Sequence, residues 1–580
     1  MNNTSFKRTL VTSALPYANG DIHLGHIAGA YLDADIYVRY RRLRGDRVLF
    51  ICGSDEHGVP ITLRALQEGV SAKNVIDRYH TANDAAFKML SIQFDIYGRT
   101  SWPEHIETTQ DFFKALDKGG HIVKREIELW YSPGLKRFLP DRYVKGVCPK
   151  CGYRDANGDE CENCGAQYSP RDLLEPRANI PGDSSKPELR PSGHWFLKLG
   201  DFKDALKAML DRHPEWRANT RGIANGWISD LKERCITRDT DWGVSIPVDD
   251  PDADGKRIYV WFDAPIGYVT NTKRWAKEIA GDPAAWELWW KAPSTRLVHF
   301  IGKDNVPFHA VIFPAMLAGQ DGYILPDNVP SNDYLNVFNR ATGVAEKGSK
   351  SKGNMISVRW FAERFSADAI RYYLCSIMPE TSDSAFDWDG FRDRYNGELC
   401  NIVGNFIHRS LTMTHKNFDG IVPDAGTLDA DDQAMLAALP TGLAAVGKAL
   451  DDFRFRAALD AFVEIARQAN RYFDAKQPWV TRKTDMARTA TTLHVCCRVI
   501  KALCGAMAAF LPNGADKLAG ILGLEIPQCG PDGGPVDFFS VALEPYPAGA
   551  ILKEPVVIFP KIPDEEIDKW ADAHQQGMKG

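Results

Sequence analysis

No uninterrupted apolar run in this chain approaches the ~20 residues that a membrane-spanning helix needs. The start, Met1-Asn2-Asn3-Thr4-Ser5-Phe6-Lys7-Arg8, has no signal-peptide apolar core and leads straight into a strand-like segment. A cytoplasmic location and no membrane partner are therefore expected. A basic surplus is also missing. Lys and Arg number 70 against 76 Asp and Glu, a net charge of −6, so any nucleic-acid partner has to be held by local patches. The densest basic run, Arg39, Arg41, Arg42, Arg44 and Arg47, reads as the solvated face and C-terminal end of a helix. Internal repeats and long low-complexity tracts are absent. A disulfide scaffold is not indicated either, because 12 cysteines are thinly spread over 580 residues. Eight of them (Cys52, Cys235, Cys375, Cys400, Cys496, Cys497, Cys504 and Cys529) are scattered, mostly among apolar neighbours, and read as inert core thiols.

The other four cysteines cluster. Cys148-Pro149-Lys150-Cys151 and Cys161-Glu162-Asn163-Cys164 form a doubled CxxC with nine residues between the pairs. Two thiolate hairpins at this spacing supply a closed tetrahedral set of soft ligands, which suits Zn2+. Gly152 and Gly165 follow the second cysteine of each pair, where tight turns need φ > 0. With four cysteines no coordination position is left for a substrate, so one structural zinc is expected.

At 580 residues, with 44% apolar and 25% charged content, several soluble domains are expected. Leu10–Thr12 and Val48–Cys52 read as short buried strands around a helical Gly25–Tyr40. That spacing predicts an α/β fold with a parallel nucleotide-binding sheet and ligands at the strand C-termini. The same signal returns in Ile258-Tyr259-Val260-Trp261-Phe262 and in Leu297-Val298-His299-Phe300-Ile301, each read as a strand. From about residue 396, Phe455, Ala458, Leu459, Phe462, Ile465, Ala466, Ala469, Tyr472 and Phe473 keep helical spacing. The expected divisions are residues 1–117 and 251–325 as two halves of the α/β domain, and 118–250 as an insertion carrying the cysteine knuckle. A region at 326–395 carrying the lysine loop, an α-helical bundle at 396–545 and a C-terminal tail at 546–580, apolar at Val556–Phe559 and then charged, complete the chain.

Two short motifs carry the chemistry. Pro16-Tyr17-Ala18-Asn19-Gly20-Asp21-Ile22-His23-Leu24-Gly25-His26 places two imidazoles and a side-chain-free glycine where a strand turns into a helix. A base can lie against backbone there while phosphates meet helix N–H groups. Lys347-Gly348-Ser349-Lys350-Ser351-Lys352-Gly353 is a Gly/Ser loop with lysines, suited to following a polyphosphate. In this order and separation they resemble the HIGH and KMSKS signatures of class I aminoacyl-tRNA synthetases. Ala14-Leu15-Pro16-Tyr17, Cys52-Gly53-Ser54-Asp55-Glu56-His57-Gly58, Val260–Tyr268, Gly302-Lys303-Asp304, Phe308-His309 and the knuckle together resemble the methionyl-tRNA synthetase family over nearly the whole chain.

That resemblance implies a Rossmann-like catalytic domain, activation of L-methionine by ATP with Mg2+, and transfer to tRNA(Met). It assigns His23 and His26 to the phosphates, Gly25 to the adenine face, Asp304 to the ribose, and Lys347 and Lys350 to the developing pyrophosphate charge. Methionine's thioether offers shape and polarizability but almost no hydrogen bonding. Ala14, Leu15, Tyr17, Trp261, Ala264, Pro265, Tyr268 and Phe308 are expected to wall it, with His309 beside them and Asp55 on the ammonium. Gly348 departs from the family pattern, which usually has Met there. Asn405, Arg409 and Trp479 match anticodon-contacting positions, where unpaired bases stack on aromatics and hydrogen-bond polar edges. A core packing role for Trp479 stays open. No further strand-patterned domain follows residue 545, so a monomer is expected. The alternatives are another class I synthetase (Leu, Ile, Val or Cys) or a non-catalytic tRNA-binding paralogue.

Overall fold

The computed structural model describes residues 6–158, 161, 163, 164, 166, 168–180, 182–340, 342–348, 354–527, 533 and 537–577. Short apolar segments build its organising element. β1 (Arg8–Ser13) is followed by helix α1 (Leu32–Leu43), then β2 (Val48–Ser54) and β3 (Ile96–Arg99). The insertion closes with helix α2 (Ala218–Ser229); after it come helices α3 (Val260–Asp263) and α4 (Ile266–Glu278), then β4 (Thr295–Gly302) and β5 (Ser331–Asn332). The five strands form one parallel sheet in the order β5-β4-β1-β2-β3. Leu10 pairs with Leu297 on one side and Leu49 on the other, and all three are fully buried. Both faces of such a sheet are covered, which is why its strands are apolar throughout instead of alternating. The chain leaves β1 toward β2 and returns beside it as β4. This reversal opens a crevice at the strand C-termini.

Two expectations are corrected here. The strand read at Ile258–Phe262 ends at Ile258, where Lys256–Ile258 pairs antiparallel with Thr237–Asp239 outside the main sheet. Val260–Asp263 is helical instead. That single turn swings Trp261 over Phe308, a packing contact that overrides the β-preference of an aromatic, β-branched run. The basic run Arg39–Arg47 is not a solvated face. Arg39 pairs with Asp35 at 2.8 Å, Arg41 with Asp451 at 2.9 Å, Arg42 with Asp95 at 2.6 Å and Arg44 with Asp537 at 3.1 Å. The Asp35 pair lies within α1, but Arg39 also donates to the Ser91 carbonyl, and with Arg41, Arg42 and Arg44 it ties α1 to its neighbours, the bundle included.

The insertion is built on the antiparallel pair Ile122–Ser132 with Glu188–Leu197. A separate small core, Leu139, Tyr143, Val144, Cys148, Ala156, Cys161 and Leu173, underlies the knuckle. Beyond the sheet, Trp388–Arg394 and Tyr395–Gly404 run on into α5 (Asn405–Phe418), so residue 396 lies inside a continuous helical stretch. Helices α6 (Ala430–Asp451), α7 (Phe455–Lys476) and α8 (Met486–Phe510) pack with it as a bundle. Helix α8 is apolar nearly all round because it is its bundle's core helix. The segment expected as a charged tail ends in α9 (Asp564–Gly577). There Trp570 packs on Trp360 at 5.9 Å, and the Arg364 guanidinium lies 4.3 and 4.4 Å from those two rings.

Candidate active site

The turn after β1 brings the two signature regions together. His23 caps the helix that begins at Leu24, accepting from the His26 backbone N–H, while the His26 ring accepts from the His23 N–H. Their imidazoles stack at 3.5 Å. Glycine at position 25 gives this stack its room, since a Cβ there would lie 3.0 Å from His23 Nδ1 and press the ring to shift. The Leu24 N–H donates to the Ile356 carbonyl, and the Val358 N–H to the Ile22 carbonyl. Residues just beyond the lysine loop are thus laced to the histidine turn. Helix Leu24–His26 then passes into a π-turn at Ile27–Tyr31, a feature that periodicity does not reveal.

Beside this turn lies a cavity of about 420 Å³. Every residue expected to wall methionine lines it: Ala14, Leu15, Tyr17, Asp55, Trp261, Ala264, Pro265, Tyr268, Phe308 and His309. Trp261 stacks on Phe308 at 4.0 Å and 11°, and Tyr17 meets Trp261 edge-on at 6.2 Å. The Tyr268 hydroxyl is 2.8 Å from His309 Nε2, and His309 Nδ1 is 3.0 Å from the Asn305 carbonyl. Burial lowers the His309 pKa to about 4, against the opposing Asn305 carbonyl. The ring is therefore neutral, donating from Nδ1 and accepting at Nε2, with its polar atoms already occupied. A wall of this kind suits a thioether.

Asp55 is the acid of this pocket. It is buried and held by its backbone, whose N–H donates to the Pro16 carbonyl and whose carbonyl accepts from the Ala18 N–H. Burial first, and the Asp263 carboxylate next, push its pKa well above the usual carboxylate range. A bound cation would reverse that shift. Beneath it, Asp263 sits between His57 Nδ1 at 2.7 Å and His105. Burial alone would raise its pKa, but the two histidines hold it at about 2. This His57–Asp263–His105 cluster was not singled out in the sequence, where its members are 206 and 158 residues from Asp263.

At the cavity's other end, Gly25, His23, His26, Asp304 and Lys347 come together as expected. Tyr334, which sequence reasoning missed, organises this corner. Its hydroxyl donates to Asp304 Oδ2 at 2.6 Å, and its ring lies between Lys303 Nζ at 4.1 Å and Lys347 Nζ at 4.2 Å. The sequence signal was slight, a polar cluster Asn332-Asp333-Tyr334 just before Leu335-Asn336-Val337-Phe338. Lys350 lies outside the described residues. Gly348 is described, and a Cβ there would be 3.4 Å from Met355 Cγ, so methionine carbon already lies against this glycine.

The four knuckle sulfurs converge. Cys148 Sγ is 3.9 Å from Cys164 Sγ and Cys151 Sγ is 3.6 Å from Cys161 Sγ, with all four ligand atoms within 4.8 Å of one another. A tetrahedron with ~2.3 Å zinc–sulfur bonds has edges of ~3.8 Å, so the donor set fits the metal in number, chemistry and spacing. Gly152 has φ +73, as its turn position requires. Gly165, and Cys529 elsewhere, lie outside the described residues.

In the bundle, Arg409 Nη2 donates to Asn470 Oδ1 at 2.9 Å and its guanidinium lies 4.8 Å from the Phe473 ring. Phe473 is 5.8 Å from Trp479, which is 39% exposed, and Asn405 is exposed on α5. Exposure at this level speaks against the core role left open for Trp479.

Two family models match the chain: class I tRNA synthetases (M) over residues 9–411, and the anticodon binding domain of methionyl tRNA ligase over residues 422–579. The methionine–tRNA ligase of Salinibacter ruber is 43% identical, aligned over 97% of this chain and 80% of its own. The Pyrococcus abyssi methionine–tRNA ligase is 42% identical over 97% and 76%. The Mycobacterium tuberculosis methionyl-tRNA synthetase, solved with methionyl-adenylate, superposes with a TM-score of 0.78 at 29% identity, covering 96% of this chain and 100% of that one.

Proposed function

The chain belongs to the class I methionyl-tRNA synthetase family, and from that premise we propose how its residues divide the work of a methionine–tRNA ligase. The enzyme activates L-methionine with ATP to methionyl-adenylate and pyrophosphate, then esterifies the terminal adenosine of tRNA. A methionine carboxylate oxygen attacks the α-phosphorus of ATP, and the bond to the β-phosphate's bridging oxygen breaks. In the second step an adenosine hydroxyl attacks the methionyl carbonyl and AMP leaves. Neither step requires a covalent enzyme intermediate, so the protein contributes positioning and charge stabilisation.

Asp55 takes the ammonium group, whose charge restores the carboxylate that burial disfavours. Ala14, Leu15, Tyr17, Trp261, Ala264, Pro265, Tyr268 and Phe308 enclose the side chain, with neutral His309 closing the wall. His23 and His26 meet the phosphates, Gly25 faces the adenine, and Asp304, held by Tyr334, takes the ribose. Lys347 and Lys350 hold the charge that develops on pyrophosphate. Mg2+ arriving with ATP shares the charge of the phosphates. Cys148, Cys151, Cys161 and Cys164 hold a structural Zn2+, and Asn405, Arg409 and Trp479 receive anticodon bases of tRNA(Met). In the domain assignment that goes with this reading, the catalytic half after the insertion runs on to Asn332, past residue 325, because β5 belongs to the sheet. The protein acts as a cytoplasmic monomer.

One observation carries the reading: a single cavity gathers the histidine turn, the base of the lysine loop, a stacked aromatic wall and a buried acid. ATP–pyrophosphate exchange across a panel of amino acids tests it. Exchange with methionine alone is expected, and preference for leucine, isoleucine, valine or cysteine would overturn the assignment.

A further inference from the structure

One side chain joins three parts of the molecule that the reaction uses separately. Arg217 immediately precedes α2, the last helix of the insertion. Its Nη1 donates to Asn332 Oδ1 at 2.6 Å and to the Ser331 carbonyl at 2.8 Å. Its Nη2 donates to the Phe453 carbonyl at 2.7 Å. The first two acceptors belong to β5 and the third to the turn between α6 and α7. A planar guanidinium can serve acceptors on both sides in fixed geometry, as an ammonium cannot.

On the sheet side the contact reaches the cavity. Asn332 is fully buried and lines it. Its Nδ2 donates to the Ala28 carbonyl and to Asp33 Oδ2, both at 2.9 Å. Ala28 lies in the π-turn that follows His26, where the widened backbone needs outside partners. Two residues beyond Asn332 is Tyr334, which holds Asp304. Asn332 thus fixes the helix carrying the histidines and the segment carrying the ribose corner.

On the bundle side the contact reaches α7. Phe453 adopts φ +55, a left-handed conformation that is strained for a bulky residue and persists only where packing imposes it. Its ring packs on Tyr37 of α1 at 5.0 Å and on Phe300 of β4 at 5.8 Å. From there α7 runs 22 residues, ~33 Å at 1.5 Å per residue, with Phe473 in its last turn before Lys476. A second left-handed residue, Gln477 at φ +44, then turns the chain to Trp479. One helix therefore has the proposed anticodon face at its far end and the Phe453 turn at its near end.

We infer that Arg217 is a positioning residue that couples occupancy of the far end of α7 to the geometry of the adenylate cavity. A displacement of α7 on tRNA binding moves the Phe453 carbonyl, and Arg217 carries it to Asn332 and so to the π-turn and Tyr334. This rests on the assignment of the bundle to tRNA recognition.

The test is the aminoacylation kcat, at saturating RNA, for full-length tRNA(Met) and for a minihelix that keeps the acceptor stem but lacks the anticodon arm. Both substrates use the same cavity, so any general loss of activity cancels in their ratio. In the unaltered enzyme the full tRNA is expected to be turned over faster. In Arg217→Lys, which keeps the charge but not the fork, that advantage should shrink at least about threefold, the lower part of the range for coupling through such networks. Arg217→Gln, checked by melting temperature, should behave alike and covers the case in which the lysine variant folds poorly. An undiminished ratio in a folded variant overturns the coupling role, and so does the absence of any advantage in the unaltered enzyme. The tRNA affinity of Trp479→Ala is measured separately, so failure of the anticodon assignment is recognised on its own.

Discussion

Trp261 and Trp479 are both assigned to ligand contact, yet they stand in opposite surroundings. Trp261 is stacked on Phe308 at 4.0 Å inside a cavity, with Tyr17 against its edge. Trp479 is 39% exposed at a bundle end, with Phe473 as its aromatic neighbour at 5.8 Å. The first belongs to a preformed wall, which suits a thioether side chain without hydrogen-bonding power, selected by shape against rings already stacked before binding. The second presents a free face, which is what an unpaired base needs in order to stack. Polar groups follow the same division. In the cavity Asp55 is buried and short of positive charge, whereas around Trp479 Arg409 is already engaged with Asn470 and Phe473.

The largest expected effect tests the buried side of that contrast. Asp55→Asn removes the charge proposed to meet the methionine ammonium, and leaving one member of a buried pair unpaired costs about 3–5 kcal/mol. The methionine KM in tRNA-free exchange should rise at least ~100-fold, with ATP KM changed little. A methionine KM within a few-fold of normal would place the ammonium elsewhere. Lys350→Ala removes a charge proposed to act mainly in the transition state, so the exchange kcat should fall at least ~100-fold while methionine KM stays put. Near-normal turnover would shift the role to Lys347 or Lys352. For the knuckle, Cys148→Ser with Cys164→Ser should lose about one equivalent of zinc and loosen the insertion, because structural zinc sites contribute folding energy directly. Full metal content in that double variant would mean other ligands. The smallest effect belongs to Tyr268→Phe, which removes one hydrogen bond to His309, worth about 0.5–1.5 kcal/mol. A several-fold rise in methionine KM is expected, and none at all would mean that His309 needs no fixing by Tyr268.

The same contrast explains what could be read from the sequence. The cavity wall was legible because Ala14, Leu15, Tyr17 and Asp55 follow the apolar strands β1 and β2 and the other members lie in compact motifs shared with the family, and the sheet because Leu10–Thr12, Val48–Cys52 and Leu297–Ile301 are short apolar runs. Val260–Asp263 was misread, since nothing local distinguishes an aromatic, β-branched strand from a helical turn whose direction is set by stacking on Phe308. Tyr334 was missed because it follows a strand of only two residues, Ser331–Asn332, too short to carry a period. Arg217 and the His57–Asp263–His105 cluster are defined by contacts between distant segments and leave no local signature. The basic run misled for a related reason: its acidic partners, Asp95, Asp451 and Asp537, lie far along the chain.

The division of labour between cavity and bundle is tested most directly by one variant, Trp479→Ala, assayed for tRNA-free ATP–pyrophosphate exchange, tRNA charging and melting temperature. Loss of a stacking face should weaken tRNA binding by roughly 1–3 kcal/mol. Charging at subsaturating tRNA should therefore fall by about fivefold to over a hundredfold, while exchange and melting temperature hold. If Trp479 were instead a packing residue, its removal would open a cavity costing about 3–5 kcal/mol of stability. A parallel fall in exchange, charging and melting temperature would contradict the account.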